Sequence, residues 1–260
     1  MLAKSLSLIV AQPSSEGLVV GSDSQLTAGF VRQTAEKIRP LNPSAIWAAV
    51  GELALIQRAE EHILGLTDKT KPLAELRDDL ARAIGRAVQE VLELDVRSVM
   101  HRADPDGLLG LHPADFLFAE YRQNGHGFWE HRLLHIETSG TAEWVSANRP
   151  FATGSGSIFA YALLQRYERE SFNLQQAALL TYRAIAGTIA TAAEGIGVPI
   201  SLWQLDQRGW HQYGDGQIRR LERRDAALRK RETAALRETA AQDQLFVLAP
   251  KSGIQMREGR

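Results

Sequence analysis

A chain of 260 residues, 44% hydrophobic and 23% charged, has the make-up of an ordinary globular protein with room for one large core or two small ones. Its 30 basic residues balance 31 acidic ones, so no broad field draws nucleic acid or an anionic membrane, and cysteine is absent, which excludes a disulfide framework and thiol chemistry. No apolar run approaches the roughly 20 residues that span a bilayer, and Met1–Leu6 is a poor secretory leader; a cytoplasmic protein is expected.

In chain order, Ser7–Ala11 and Leu18–Ser22 read as short apolar strands around a turn at Gln12–Gly17, which predicts an N-terminal hairpin. Ala45–Gly51 reads as a buried strand, followed by a helical segment with Leu53, Ile56, Ile63 and Leu64 on one side. Leu76, Leu80, Ile84, Val88 and Leu92 recur every four residues and predict a helix over 73–96. Residues 101–114, with Asp104-Pro105-Asp106-Gly107 and His112-Pro113, form a loop. Asp115–Tyr121 and Arg132–Ile136 are strands around the turn Asn124–Gly127.

The second half repeats this order. Gly154-Ser155-Gly156-Ser157 leads into a helix through Ile158, Tyr161 and Leu164, a second helix runs from Leu174 to Glu194, and strands return at Pro199–Leu205 and near Trp210. Strands, two helices, strands, two helices, strands is the pattern of an α+β four-layer αββα sandwich. From Arg219 to Gln242 the chain is dense in arginine, glutamate and alanine, with Leu221, Leu228 and Leu236 its only leucines. That composition predicts a largely solvated helix with many i,i+4 ion pairs, and the chain divides into a domain over 1–218 and an extension over 219–260.

For chemistry, Asp23 ends a buried strand and Lys37 lies fourteen positions on. Each alone reads as an ordinary turn aspartate or solvated lysine; together they can form a buried pair that tunes proton transfer at a nucleophile. Gly154-Ser155-Gly156-Ser157 suits a helix N-cap but not a phosphate cradle, because no third glycine of the dinucleotide fingerprint and no Gly-Lys-Ser/Thr accompany it. The seven histidines are scattered without metal-ligand spacing, and no metal or cofactor is expected.

Four separated stretches resemble, in matching order, the proteasome β-subunit and HslV-type family of N-terminal nucleophile hydrolases. They are Asp23-Ser24-Gln25-Leu26-Thr27-Ala28-Gly29, then Lys37-Ile38, then Ala48-Ala49-Val50-Gly51, and lastly Gly154-Ser155-Gly156-Ser157 with Glu194–Ile200. The resemblance implies a sandwich over about 5–213 in which an N-terminal residue attacks the scissile carbonyl and its own α-amine acts as base. Asp23, Lys37, Gly51 and Ser155 would support it, Gly51 as oxyanion donor. Thr27 would bind substrate backbone, and Leu26, Ala35, Ala49 and Leu53 would line an apolar specificity pocket. Glu194 stands near a further family carboxylate but out of register.

The departure is at the nucleophile. Counting back from Asp23 without gaps puts the family's threonine on Ser7, and a longer hairpin turn puts it on Ser5. Activity then requires cleavage ahead of the serine, with Leu6–Ser7 the expected bond. The resemblance implies a peptidase acting on peptide or unfolded-protein substrate in a homo-oligomeric ring, served by an ATP-dependent unfoldase. A second reading is a catalytically silent structural or binding subunit, motivated by the internal position of both serines.

Overall fold

The structure, a computed structural model, describes residues 7–28, 31–98, 114–146, 148–168, 170–191 and 196–242; within these, the side chains of 26–28, 31–33, 94–98 and 240–242 are not described. Met1–Leu6 with Ser5, residues 101–113 of the expected loop, Glu194 and the segment 243–260 lie outside the described residues.

Two five-stranded antiparallel sheets carry the fold. One has the order β10-β1-β2-β11-β12, built from β1 (Ile9–Ser14), β2 (Gly17–Asp23), β10 (Phe151–Thr153), β11 (Ile200–Asp206) and β12 (Gly209–Gln212). The other has the order β5-β6-β7-β8-β9, from β5 (Ile38–Asn42), β6 (Ala45–Gly51), β7 (Ala114–Gln123), β8 (Trp129–Glu137) and β9 (Ala142–Val145). A separate hairpin joins β3 (Gln25–Ala28) to β4 (Val31–Thr34). The helices are α1 (Leu53–Leu64), α2 (Leu73–Ser98), α3 (Ser157–Leu164), α4 (Leu174–Thr191) and α5 (Asp215–Gln242).

Strand alternation sorts the apolar residues into three layers. On β6, Ala45, Trp47 and Ala49 join Phe116 and Phe118 of β7 under α1 and α2. The intervening Ile46, Ala48 and Val50 join Leu117, Ala119, Ile9, Ala11, Leu18 and Val20 between the sheets. The outward face of β1 and β2, with Leu8, Val10 and Val19, packs on Ala177, Ile185 and Leu164 of the second helix pair. These central strands are covered on both faces, which is why they read as unbroken apolar runs rather than alternating ones. Helices, sheet, sheet, helices is the αββα sandwich expected from the sequence.

Several local readings change. The first turn is shorter than expected: β1 extends to Ser14, whose Oγ donates to the Gly17 carbonyl at 3.0 Å and accepts the Glu16 amide at 3.2 Å, so Ser15 and Glu16 alone reverse the chain. On α1 the buried residues are Leu55, Ile56, Ala59 and Ile63, while Leu64 is 57% exposed. The charged helix starts earlier than Arg219, at Asp215, and its first turns bury Leu221 against the α4 layer. Asp225 is buried beside Arg183 of α4, which also pairs with Glu232.

Candidate functional site

Ser7 stands immediately ahead of β1 and is buried. Three segments converge on it. The first is the end of β2, where Asp23 is fully enclosed; its Oδ1 accepts the Leu8 amide at 2.9 Å, and its Oδ2 accepts the amides of Gln25 and Gly197 at 3.2 and 3.3 Å. These three backbone donors hold both oxygens of the carboxylate.

The second segment is the approach to β5. Lys37 is buried, and its Nζ lies 2.7 Å from Asp23 Oδ1 and donates to Ser7 Oγ at 3.0 Å. Its position is set by backbone pairing on both sides: the Ala35 amide donates to Ser24 O at 2.9 Å, and the Ala49 amide donates to Lys37 O at 3.2 Å. Burial pushes the Lys37 amine down from 10.5, and the opposing pull of Asp23 recovers only part of that shift. An amine so placed can exchange a proton with the Ser7 hydroxyl.

The third segment is the turn from β10 into α3. The Ser7 amide donates to Ser155 Oγ at 3.0 Å, and the Gly156 amide donates to Ser7 O at 3.3 Å. Gly154 makes this possible: its φ is +94°, and a Cβ there would stand 2.3 Å from Ser7 O and 3.3 Å from Val50 Cγ2. Only glycine fits both the backbone angle and the approach. The same Val50 leads into Gly51, which ends β6 with φ +126°.

Ser7, Asp23, Lys37 and Ser155 are thus brought together by direct contacts, with Gly51 one residue beyond the Val50 side chain that abuts Gly154. Of the five residues expected to bind substrate, Ala35, Ala49 and Leu53 have described side chains. Ala49 lies in the helix-side core, 2% exposed. Ala35 and Leu53 are half-buried, Leu53 opening α1. Leu26 and Thr27 lie on β3, opposite Gln33 and Arg32, with side chains outside the described set. Sequence reasoning missed the amides of Leu8, Gln25 and Gly197 on Asp23 and of Gly156 on Ser7, because a backbone donor leaves no residue-type signal; the glycine pair at 154 and 156 is the nearest to one. Among the described residues no group of three or more His, Asp or Glu is placed to hold a metal ion, and no helix is long and apolar enough to cross a membrane.

Ser7 Oγ thus stands at the head of the first strand of an αββα sandwich, next to a buried amine and carboxylate. Over 95% of its length and 99% of the other's, the chain superposes on the Anbu (ancestral beta-subunit) structure from Yersinia bercovieri with a TM-score of 0.63 at 17% identity, a likeness of fold. In sequence it is 25% identical over 201 residues to a probable proteasome subunit beta type-5 of Schizosaccharomyces pombe. That match takes in 76% of this chain and 66% of the relative, so it spans just under two thirds of the relative's length. No family model matches. The chain thus has the fold of that ancestral beta-subunit and a distant sequence similarity to a proteasome beta-type subunit.

Proposed function

We propose that the chain is a proteasome-type peptidase subunit whose nucleophile is Ser7, freed by hydrolysis of the Leu6–Ser7 bond. The observation that carries this reading is the contact of Ser7 Oγ with Lys37 Nζ, itself 2.7 Å from Asp23, while Ser155 Oγ takes the hydrogen of the Ser7 nitrogen. In the intact chain that nitrogen is an amide and cannot act as base. Once freed it is an α-amine with an ordinary pKa near 8, suited to take the hydroxyl proton at neutral pH. Ser7 Oγ then adds to the scissile carbonyl, the proton passes through the amine to the leaving nitrogen, and the resulting ester is hydrolysed by water activated by the same amine. Asp23 and Lys37 hold the charge balance during transfer, and the Gly51 amide is assigned to the oxyanion.

A cytoplasmic ring of copies acting on peptide or unfolded protein, fed by an ATP-dependent unfoldase, belongs to this reading. Intact-mass measurement of protein from the native host should show loss of Met1–Leu6, and that protein should hydrolyse peptidyl-aminomethylcoumarin substrates. Recovery of only the unprocessed chain, unlabelled by an N-terminal-nucleophile inhibitor, overturns it. The burial of Ser7, 4% exposed with its amide engaged, favours a second reading in that event, a catalytically silent subunit of the same architecture.

A further inference from the structure

Between the two sheets, close to Ser7, lies a polar cluster that the proposed mechanism does not use. The Thr153 hydroxyl donates to Asp115 Oδ2 at 2.9 Å, and His135 Nε2 is 3.4 Å from Asp115 Oδ1, with its ring 5.2 Å from that of Phe151. Thr153 and Phe151 belong to β10, in the sheet that carries Ser7; Asp115 and His135 belong to β7 and β8, in the other. The cluster is therefore a side-chain bridge between the two sheets, beside the apolar residues packed between them.

Its place in the chain gives the bridge its meaning. Thr153 is paired with Ile9 on β1 and directly precedes Gly154, the residue that admits the Ser7 carbonyl, and Ser155, which receives the Ser7 amide. Asp115 is paired with Val50 on β6, directly before Gly51, and Val50 Cγ2 would stand 3.3 Å from a Cβ placed on Gly154. One carboxylate thus links the turn that grips the Ser7 backbone to the strand end expected to supply the oxyanion donor. Burial pushes the Asp115 carboxyl up, but the His135 ring and the Thr153 hydroxyl outweigh it and hold the carboxyl below its usual range, so it is ionised when it accepts. Hydrogen bonds to a charged acceptor are about twice as strong as neutral ones.

We infer that Asp115 is a positioning residue: through Thr153 it sets the distance between the Ser155 turn and the β6 terminus, and so holds Ser7 in register with Gly51. The inference rests on the peptidase reading for its purpose, but not for its test. Amide hydrogen exchange on the unprocessed full-length chain reads the geometry directly. Thr153→Val keeps shape and removes the hydroxyl; it should speed exchange at Ser7 and Gly156 by about tenfold, the equivalent of one charge-assisted hydrogen bond. Amides of α2, on the far side of the second sheet, should be unchanged, and Thr153→Ser should restore protection. Unchanged exchange at Ser7 in Thr153→Val overturns the inference, and so does uniform acceleration across the molecule, which would make the bridge a general stabiliser. On processed protein the same valine variant should lower kcat while leaving KM in place. A processed wild-type chain that hydrolyses no peptide would sink the peptidase reading alone, since the exchange result still decides the role of Asp115.

Discussion

Asp23 and Lys37 form a buried pair, 2.7 Å from Oδ1 to Nζ, whose two halves are unequally supported. The carboxylate receives the amides of Leu8, Gln25 and Gly197 in addition to the lysine, whereas the ammonium has Asp23 and the Ser7 hydroxyl. Removing the carboxylate strands a buried cation and leaves backbone donors unanswered; removing the ammonium leaves a carboxylate that still has its amides. Asp23→Ala should therefore cost the full penalty of a broken buried pair, about 3–5 kcal/mol, and Lys37→Met less than half of that. Urea denaturation of both variants checks the asymmetry, and equal losses would contradict it.

The depressed Lys37 pKa makes a prediction about pH. A lysine whose folded pKa lies below the unfolded value binds fewer protons folded than unfolded over the interval between the two. Stability then rises with pH across that interval. The cost of burying the charge is present in full below the folded pKa and is gone above 10.5. Urea midpoints measured at increasing pH toward 10.5 should climb for the wild type relative to Lys37→Met, and parallel curves for the two proteins would show that the amine titrates normally.

Ser7→Ala separates chemistry from stability. The hydroxyl accepts one hydrogen bond, from Lys37, so its loss should cost about 1 kcal/mol. If Ser7 is the nucleophile, turnover by processed protein should fall by at least about 10³-fold, and Ser7→Thr should retain it. Full activity in Ser7→Ala would move the chemistry elsewhere.

Gly154→Ala should damage the site more than its size suggests. The backbone angle of +94° costs an L-residue about 1–3 kcal/mol, and the new Cβ would begin 2.3 Å from Ser7 O. We expect lowered thermal stability together with accelerated exchange of the Ser7 amide. Gly125→Ala, where a Cβ meets nothing within 4 Å, is the control and should alter neither.

The four-layer architecture was legible because β1, β2, β6 and β7 each bury two faces and so stand out as apolar runs, and because α2 keeps a four-residue stripe. Less visible were β3 and β4, strands of only four residues each and too short to show a period, and β5, whose Ile38-Arg39-Pro40 start is broken by an exposed proline. Of the site, Asp23, Lys37 and Ser155 were recoverable as motif residues. The Thr153 and Asp115 bridge was not, since its partners come from different sheets and from types that usually serve turns and surfaces.

The charged helix α5 has a composition that suggests one solvated surface, but its burial divides it. Leu221 is 5% exposed within the apolar layer that includes Ile185 and Leu202, while Leu236, four turns on, is 72% exposed. Between them the anchoring is ionic: Asp225 is buried beside Arg183 and pairs with Arg229 at 2.7 Å, and Glu232 also reaches Arg183. Leu221→Ala should therefore cost about 2–5 kcal/mol as a core truncation. Leu236→Ala should stay within about 0.5 kcal/mol of the parent, as surface changes do. Asp225→Ala leaves Arg183, largely covered, with Glu232 alone, and should fall between the two. Urea unfolding followed by circular dichroism orders the three variants. A Leu236→Ala loss equal to that of Leu221→Ala would mean that the distal half of α5 is packed as firmly as its start, which its exposure in the folded chain does not provide for.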